Sequence, residues 1–308
     1  MKKYKLLLVP FFLLFCLATQ GLAQEKPTGG KEEGGYKDAH HGKSTDEVAR
    51  ELANPNSSLA SLKFRNQYRT YTGDLPRADS KGAYTMVFQP VFPFPLAPTA
   101  SGGKPNFFFR PAIPLLIEQP VPTLKGSRID YEKKTALGDI GFDLAYGVTE
   151  KNGLLWALGM AGTVPTATDS AVAGKQFRLG PEVLLAKFEK WGIYGVFPSH
   201  QWDVAGWGDT TPWFSTTTLQ PILVFLPGGG WKIATEPIMS YDWNNDDWTI
   251  PLQILASRTV KIGKTPVNFE IELDYYVEQP DAFGPEAMIA VNITPVVPNI
   301  INNWIRGL

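Results

Sequence analysis

Residues Val267 to Tyr275 read Val-Asn-Phe-Glu-Ile-Glu-Leu-Asp-Tyr. Side chains alternate across a β-strand, so Val267, Phe269, Ile271, Leu273 and Tyr275 form one face and Asn268, Glu270, Glu272 and Asp274 the other. A soluble protein can bury one such face and leave the other to water. Here comparable segments recur twelve times, at 60–72, 82–96, 105–119, 136–149, 153–165, 175–188, 192–204, 212–226, 230–243, 247–262, 266–278 and 285–297. Strands with an apolar face outside and a charged face inside predict an all-β fold, a twelve-stranded antiparallel transmembrane barrel.

The connections support that expectation. Long ones at 73–81, 120–135, 166–174, 205–211 and 279–284 alternate with short ones at 150–152, 189–191, 227–229 and 263–265. Membrane barrels show this asymmetry between their two ends. Two connections depart from it: 97–104 is long where a short one is expected, and 244–246 is short where a long one is expected. Trp156, Trp191 and Trp231 fall beside short turns, while Trp202, Trp207, Trp213, Trp243 and Trp248 fall near long loops. Two separated groups fit two interfacial girdles.

The N-terminus has the three parts of a signal peptide: Lys2, Lys3 and Lys5, an apolar run from Leu6 to Leu17, and Gly21-Leu22-Ala23 before Gln24. Cys16 follows Phe15, where a lipoprotein signal needs a small residue. It is the sole cysteine, which removes disulfides and thiolate metal sites from the mature chain. Loss of residues 1–23 takes three lysines and no acid, leaving 26 basic against 30 acidic residues and arguing against a nucleic-acid partner. Residues 24–58 read as a flexible tail carrying a short helix over 45–53, announced by the capping-box pair Ser44 and Glu47. The barrel occupies 59–297 and a C-terminal tail 298–308. The helix has two possible places, at the barrel mouth or in the lumen.

The strand phase assigns Arg65, Arg69, Arg110, Glu118, Asp139, Asp143, Arg178, Glu182, Glu236, Glu270, Glu272 and Asp274 to the lumen. Charge in bilayer-length strands is costly toward lipid and tolerated toward a wet interior, where it sets selectivity. The excess of acids predicts a weak cation preference if the lumen is open. Side chains fill small barrels, so a plugged lumen is the alternative. Pro90, Pro111, Pro181, Pro198, Pro221 and Pro237 fall near mid-strand, on the lipid-facing phase. Proline cannot donate a ladder bond, so a band of β-bulges is expected there; prolines in loops of a distorted soluble sandwich would be the other solution.

Leu52-Ala-Asn-Pro55, Phe88-Gln-Pro-Val-Phe-Pro93, Leu137-Gly-Asp-Ile140, Val164-Pro-Thr-Ala-Thr168, Leu179-Gly-Pro181, Leu219-Gln-Pro221 and Gly284-Pro-Glu286 occur in order along the chain. In this the chain resembles a bacterial outer-membrane family labelled transporter or MetA-pathway phenol-degradation protein, often misnamed neuromedin U. The resemblance spans roughly residues 52–297. It implies an outer-membrane barrel of Gram-negative bacteria with a transport role for small solutes, hydrophobic or aromatic ones if the label is meaningful. It carries no catalytic or binding residue over. The chain departs from the common aromatic ending by extending from Pro298 to Leu308.

Other chemistry is sparse. His200, beside Trp202, could activate Ser215 on the next strand as an outer-face lipid hydrolase; a third group would be needed to orient the imidazole. His40 and His41 near Asp38 form a poor chelate on a flexible segment. Gly228-Gly-Gly230 is a turn with no helix after it. The expectation is a non-enzymatic barrel without metal or cofactor, surrounded by outer-membrane lipid. A plugged structural or binding barrel is the second reading.

Overall fold

A computed structural model of the chain describes residues 42–206 and 213–305. The signal peptide, His40, His41, Trp207 and Leu308 lie outside the described residues. The first element is helix α1 (Thr45–Leu52). The strands are β1 (Ser61–Thr72), β2 (Gly82–Pro95), β3 (Lys104–Lys125), β4 (Arg128–Leu137), β5 (Ile140–Thr149), β6 (Leu154–Val164) and β7 (Gln176–Phe188). They continue as β8 (Gly192–Gly206), β9 (Ser215–Gly228), β10 (Trp231–Thr235), β11 (Met239–Asp242), β12 (Asp247–Ile262), β13 (Thr265–Glu278) and β14 (Gly284–Pro295). Helix α2 (Ile300–Ile305) follows.

Every pairing is antiparallel, and β1 closes the ring on β14, with Phe64 opposite Ile293 and Thr72 opposite Gly284. The fourteen strands make twelve staves, because β4 with β5 and β10 with β11 are each one stave with a break. Among the described residues β4 alone pairs on one side only, with β3; every other strand is paired on both sides, the condition for strands to cross a membrane.

The two faces are inverted relative to a soluble protein. On β13, Glu270, Glu272 and Asp274 are buried while Ile271, Leu273 and Tyr275 are exposed. On β7, Glu182 and Leu184 are buried while Val183 and Leu185 are exposed. Leu158, Val196, Leu223, Phe225, Leu252, Ile254 and Ile289 continue the apolar outer surface. Aromatic contacts mark both ends: Tyr146 with Trp156 and Trp191 with Tyr194 near the short turns, Tyr241 with Trp243 and Trp248 near the long-loop end.

Four expectations change. The single strand expected over 136–149 breaks at Gly138 and Asp139. The segment 120–135 is not an irregular loop. β3 and β4 extend through it as a hairpin turned by Gly126 at positive φ and Ser127. Lys125 reaches diagonally to pair with Asp130 and Glu132 across this ladder. The single strand expected over 230–243 breaks at 236–238. The prolines are not bulges. Pro90, Pro111, Pro181, Pro198 and Pro221 stay inside strands, and the register is the same on both sides of each gap they leave. On that register Pro90 stands opposite Pro111, and Pro221 opposite Pro237. Prolines missing the same ladder bond are thus placed against each other, which limits the number of stranded carbonyls.

At the 236–238 break, side chains replace the ladder. Gln220 Nε2 on β9 donates to the Glu236 carbonyl at 3.0 Å, and Gln253 Oε1 on β12 accepts from the Glu236 N–H at 2.8 Å.

Candidate functional site: the barrel lumen

The inward faces enclose a cavity of about 660 Å³ to which all twelve staves contribute. Nine of the residues assigned from sequence line it: Arg65, Arg69, Arg110, Asp143, Glu182, Glu236, Glu270, Glu272 and Asp274. Lys63 and Lys232 belong with them. Both lie in the inward phase, two residues from Arg65 and four from Glu236, so the alternation that found the others applies to them too.

The first charged group straddles β14. Its inward side chains Ala290 and Asn292 are small enough for β1 and β13 to reach over them. Lys63 Nζ meets Glu270 Oε1 at 3.0 Å, and Arg65 Nη2 meets Glu272 at 3.3 Å. Lys232 Nζ bridges Glu270 at 2.9 Å and Glu236 at 3.4 Å. Fully buried Asn292 donates to Glu270 at 2.9 Å and to Glu272 at 3.2 Å, and Gln253 Nε2 donates to Glu272 at 3.1 Å. Asp274 faces Arg69 across Met288 and keeps Oδ1 without a bond.

The second group straddles β6 in the same way, over Gly159 and Ala161. Arg110 on β3 lies directly opposite Asp143 on β5 and bonds it at 3.2 Å. Its guanidinium also packs over Phe108 at 4.7 Å and Phe197 at 5.8 Å. Glu182 on β7 completes the group: neither oxygen accepts from a conventional donor, and its neighbours are the Asp143 carboxyl and the Arg110 guanidinium.

Toward the short-turn end the interior becomes apolar. Phe108, Ala145, Leu155, Leu184, Ile193, Ile222, Val224 and Leu255 cluster there, joined by Ala53 just after α1. Strand alternation places Phe108 on the face of Arg110 and Leu184 on the face of Glu182, but it does not show that such residues gather at one end of the lumen. α1 and the residues after it form the floor of the cavity. Ser44 and Glu47 make both bonds of the capping box, which holds the Glu47 carboxylate below its usual range. Asp46 accepts the Gly230 N–H, and Arg50 donates to the Glu189 carbonyl at 2.6 Å and the Lys190 carbonyl at 3.4 Å. Asn56 donates to Thr149 Oγ1, and Asn106 to the Ser57 carbonyl. Gly147 leaves the space that Asn56 fills, since a Cβ there would sit 2.8 Å from its Oδ1. The helix is therefore at the short-turn mouth.

Three assigned residues lie elsewhere. Glu118 takes positive φ at a register shift, which breaks the alternation and turns it outward; it is exposed and pairs with Lys133 on the hairpin. Asp139 falls between β4 and β5, where it accepts the N–H groups of Ala167 and Gly174 and organises a long loop. Arg178 sits at the long-loop rim, 3.8 Å over the Phe214 ring, after a register shift at Phe177.

On the outer face, His200 Nδ1 is 2.7 Å from Thr217 Oγ1 and its Nε2 is 3.3 Å from Ser215 Oγ. Thr217 also accepts the Trp243 indole N–H at 2.8 Å, and His200 packs against Trp202. These bonds tie the histidine into the aromatic band.

No family model and no curated protein matches the chain. Among solved structures, it is similar to an outer membrane channel from Pseudomonas putida F1, with a TM-score of 0.56 and 11% identity over 78% of this chain and 96% of that one. A NanC porin aligns with a TM-score of 0.45 at 12% identity, over 76% and 98% of the two chains. The outer membrane phospholipase A from Escherichia coli aligns at 0.38 and 12%, over 83% and 98%. The first likeness concerns the fold; the other two are too loose to bear on function.

Proposed function

We propose that this chain is an exported outer-membrane channel whose lumen passes small solutes. The observation that carries the reading is the inverted barrel: an apolar outer surface around a polar, ion-paired cavity of about 660 Å³. The sequence pattern of a signal peptide and the fold shared with a solved outer membrane channel support it. The charged upper lumen suits polar groups, and the apolar zone around Phe108, Ile222 and Leu255 suits a short hydrocarbon or aromatic portion. α1 restricts the short-turn mouth, so passage needs its displacement.

Planar-bilayer conductance tests this with the full chain and with Asp46→Ala/Arg50→Ala, which loosens α1 without touching the charged lumen. Discrete openings, more frequent in the double variant, are expected. Silence of both at high protein would refute the channel and leave a closed binding barrel. The Ser215–His200–Thr217 contacts favour a second reading, lipid hydrolysis at the outer face. Fatty-acid release from phospholipid that is lost in His200→Ala would establish it.

A further inference from the structure

The charges lining the cavity do not cancel, and the imbalance has an address. Five basic and six acidic side chains face it. Lys63, Arg65, Arg69 and Lys232 match Glu236, Glu270, Glu272 and Asp274 in number, around β14. What remains is Arg110 with Asp143 and Glu182, one cation for two carboxylates.

Glu182 is 2% exposed, lines the cavity, and offers two oxygens to no hydrogen-bond donor. Among the buried carboxylates described, it alone lacks a donor on both, its neighbours being the Asp143 carboxyl and Arg110. Arg110 is directed to Asp143, opposite it in the ladder. Gly159 and Ala161 put no bulk between Asp143 and Glu182, so the two carboxyl groups face each other across β6. Ser199, opposite Glu182 on β8, adds a hydroxyl oxygen, bonded to Thr218 Oγ1 at 2.6 Å. A buried carboxylate without a full counter-charge is disfavoured; a proton shared with the neighbouring carboxyl restores neutrality without salt, and a cation that displaces that proton restores it equally.

We infer that Asp143, Glu182 and Ser199 form a binding site for a compact monovalent cation, either an inorganic ion or the ammonium head of an organic solute. The deficit is a single charge, which a monovalent cation fills and a divalent one overshoots. The donors are hard oxygens, suited to alkali-metal and ammonium ions rather than to soft metals. The inference rests on the lumen being open to solute, as the channel reading holds, and gives that lumen a preferred substrate charge.

Two measurements on the full chain test it. Crystals soaked in a rubidium salt should show anomalous scattering between Asp143 and Glu182, and Glu182→Gln crystals should not. A competing soak in methylammonium separates the sources: loss of the rubidium signal shows that an organic ammonium is accepted, persistence that the site holds inorganic ions. In detergent, rubidium in place of bulky N-methylglucamine should raise the melting temperature of the wild type and leave Glu182→Gln unmoved. No rubidium at the pair in the wild type, or equal responses of wild type and variant, would overturn the proposal. A chain that conducts but holds no ion there loses this inference alone. One that holds the ion yet stays silent in bilayers loses the channel reading alone.

Discussion

The two charged groups of the lumen use one construction and reach different ends. Each places acids and bases on two strands that reach over a third bearing small inward residues, Ala290 and Asn292 on β14 or Gly159 and Ala161 on β6. Around β14 three of the four bases, Lys63, Arg65 and Lys232, are ion-paired to acids, and Asn292 and Gln253 donate to the carboxylates. Around β6 no amide helps, and one arginine serves two acids. The difference teaches that buried charge in a barrel becomes structural when it is neutralised within the wall, and becomes available to solute when it is not.

The largest test of that contrast is Glu270→Ala, which takes from Lys63 its ion-pair partner and leaves Lys232 with Glu236 alone. Breaking a buried pair from one side costs about 3–5 kcal/mol, so the urea midpoint of the variant in detergent should fall markedly. An unchanged midpoint would mean that the β14 group is solvated rather than structural. Arg110→Met leaves Asp143 and Glu182 facing each other with no protein cation and should cost about 2–4 kcal/mol. Adding Glu182→Gln to it should recover part of the loss, and a double variant no better than the single would break the proposed coupling. Gln253→Leu removes both a donor to Glu272 and the acceptor for the Glu236 N–H, worth about 1–2 kcal/mol. Hydrogen exchange should speed up at 236–238 and not at β6. The smallest change is the most diagnostic. Glu182→Gln alone, in buffer without small cations, should shift stability by less than about 1 kcal/mol and in the stabilising direction, opposite in sign to Glu270→Ala. A loss comparable to that of Glu270→Ala would erase the distinction between the groups.

Much of this was legible in the sequence, because strand alternation is a strong local signal. Twelve staves, the inward phase of Glu270 and Glu272, and the capping box of α1 all follow from spacing within a few residues. What was not legible depends on register. Glu118 was misplaced because a shift at Leu116–Gln119 reverses the phase just before it, and no residue type announces that shift. Asp139 was misplaced because its stave breaks beside it, at Gly138. The hairpin over 120–135 was hidden because its length read as a long connection; the ladder from Gln119 opposite Lys134 to Lys125 opposite Arg128 shows only in the pairing. The single-charge deficit at β6 needed the pairing of strands distant in sequence, since counting acids and bases along the chain cannot say which of them meet.

The contacts of α1 have a consequence for how this protein can vary. Asp46 and Arg50 hydrogen-bond the turns through an N–H at Gly230 and carbonyls at Glu189 and Lys190, and the one side chain they add is the Phe188 ring beneath Arg50. Replacing Glu189 or Lys190 therefore leaves the docking surface as it was. Gly230 is different: it has positive φ, and a Cβ would come within 2.4 Å of the Thr259 carbonyl oxygen. The mouth is thus free to change its charge and its chemistry over evolutionary time while its backbone shape stays fixed, with one glycine as the point of least freedom.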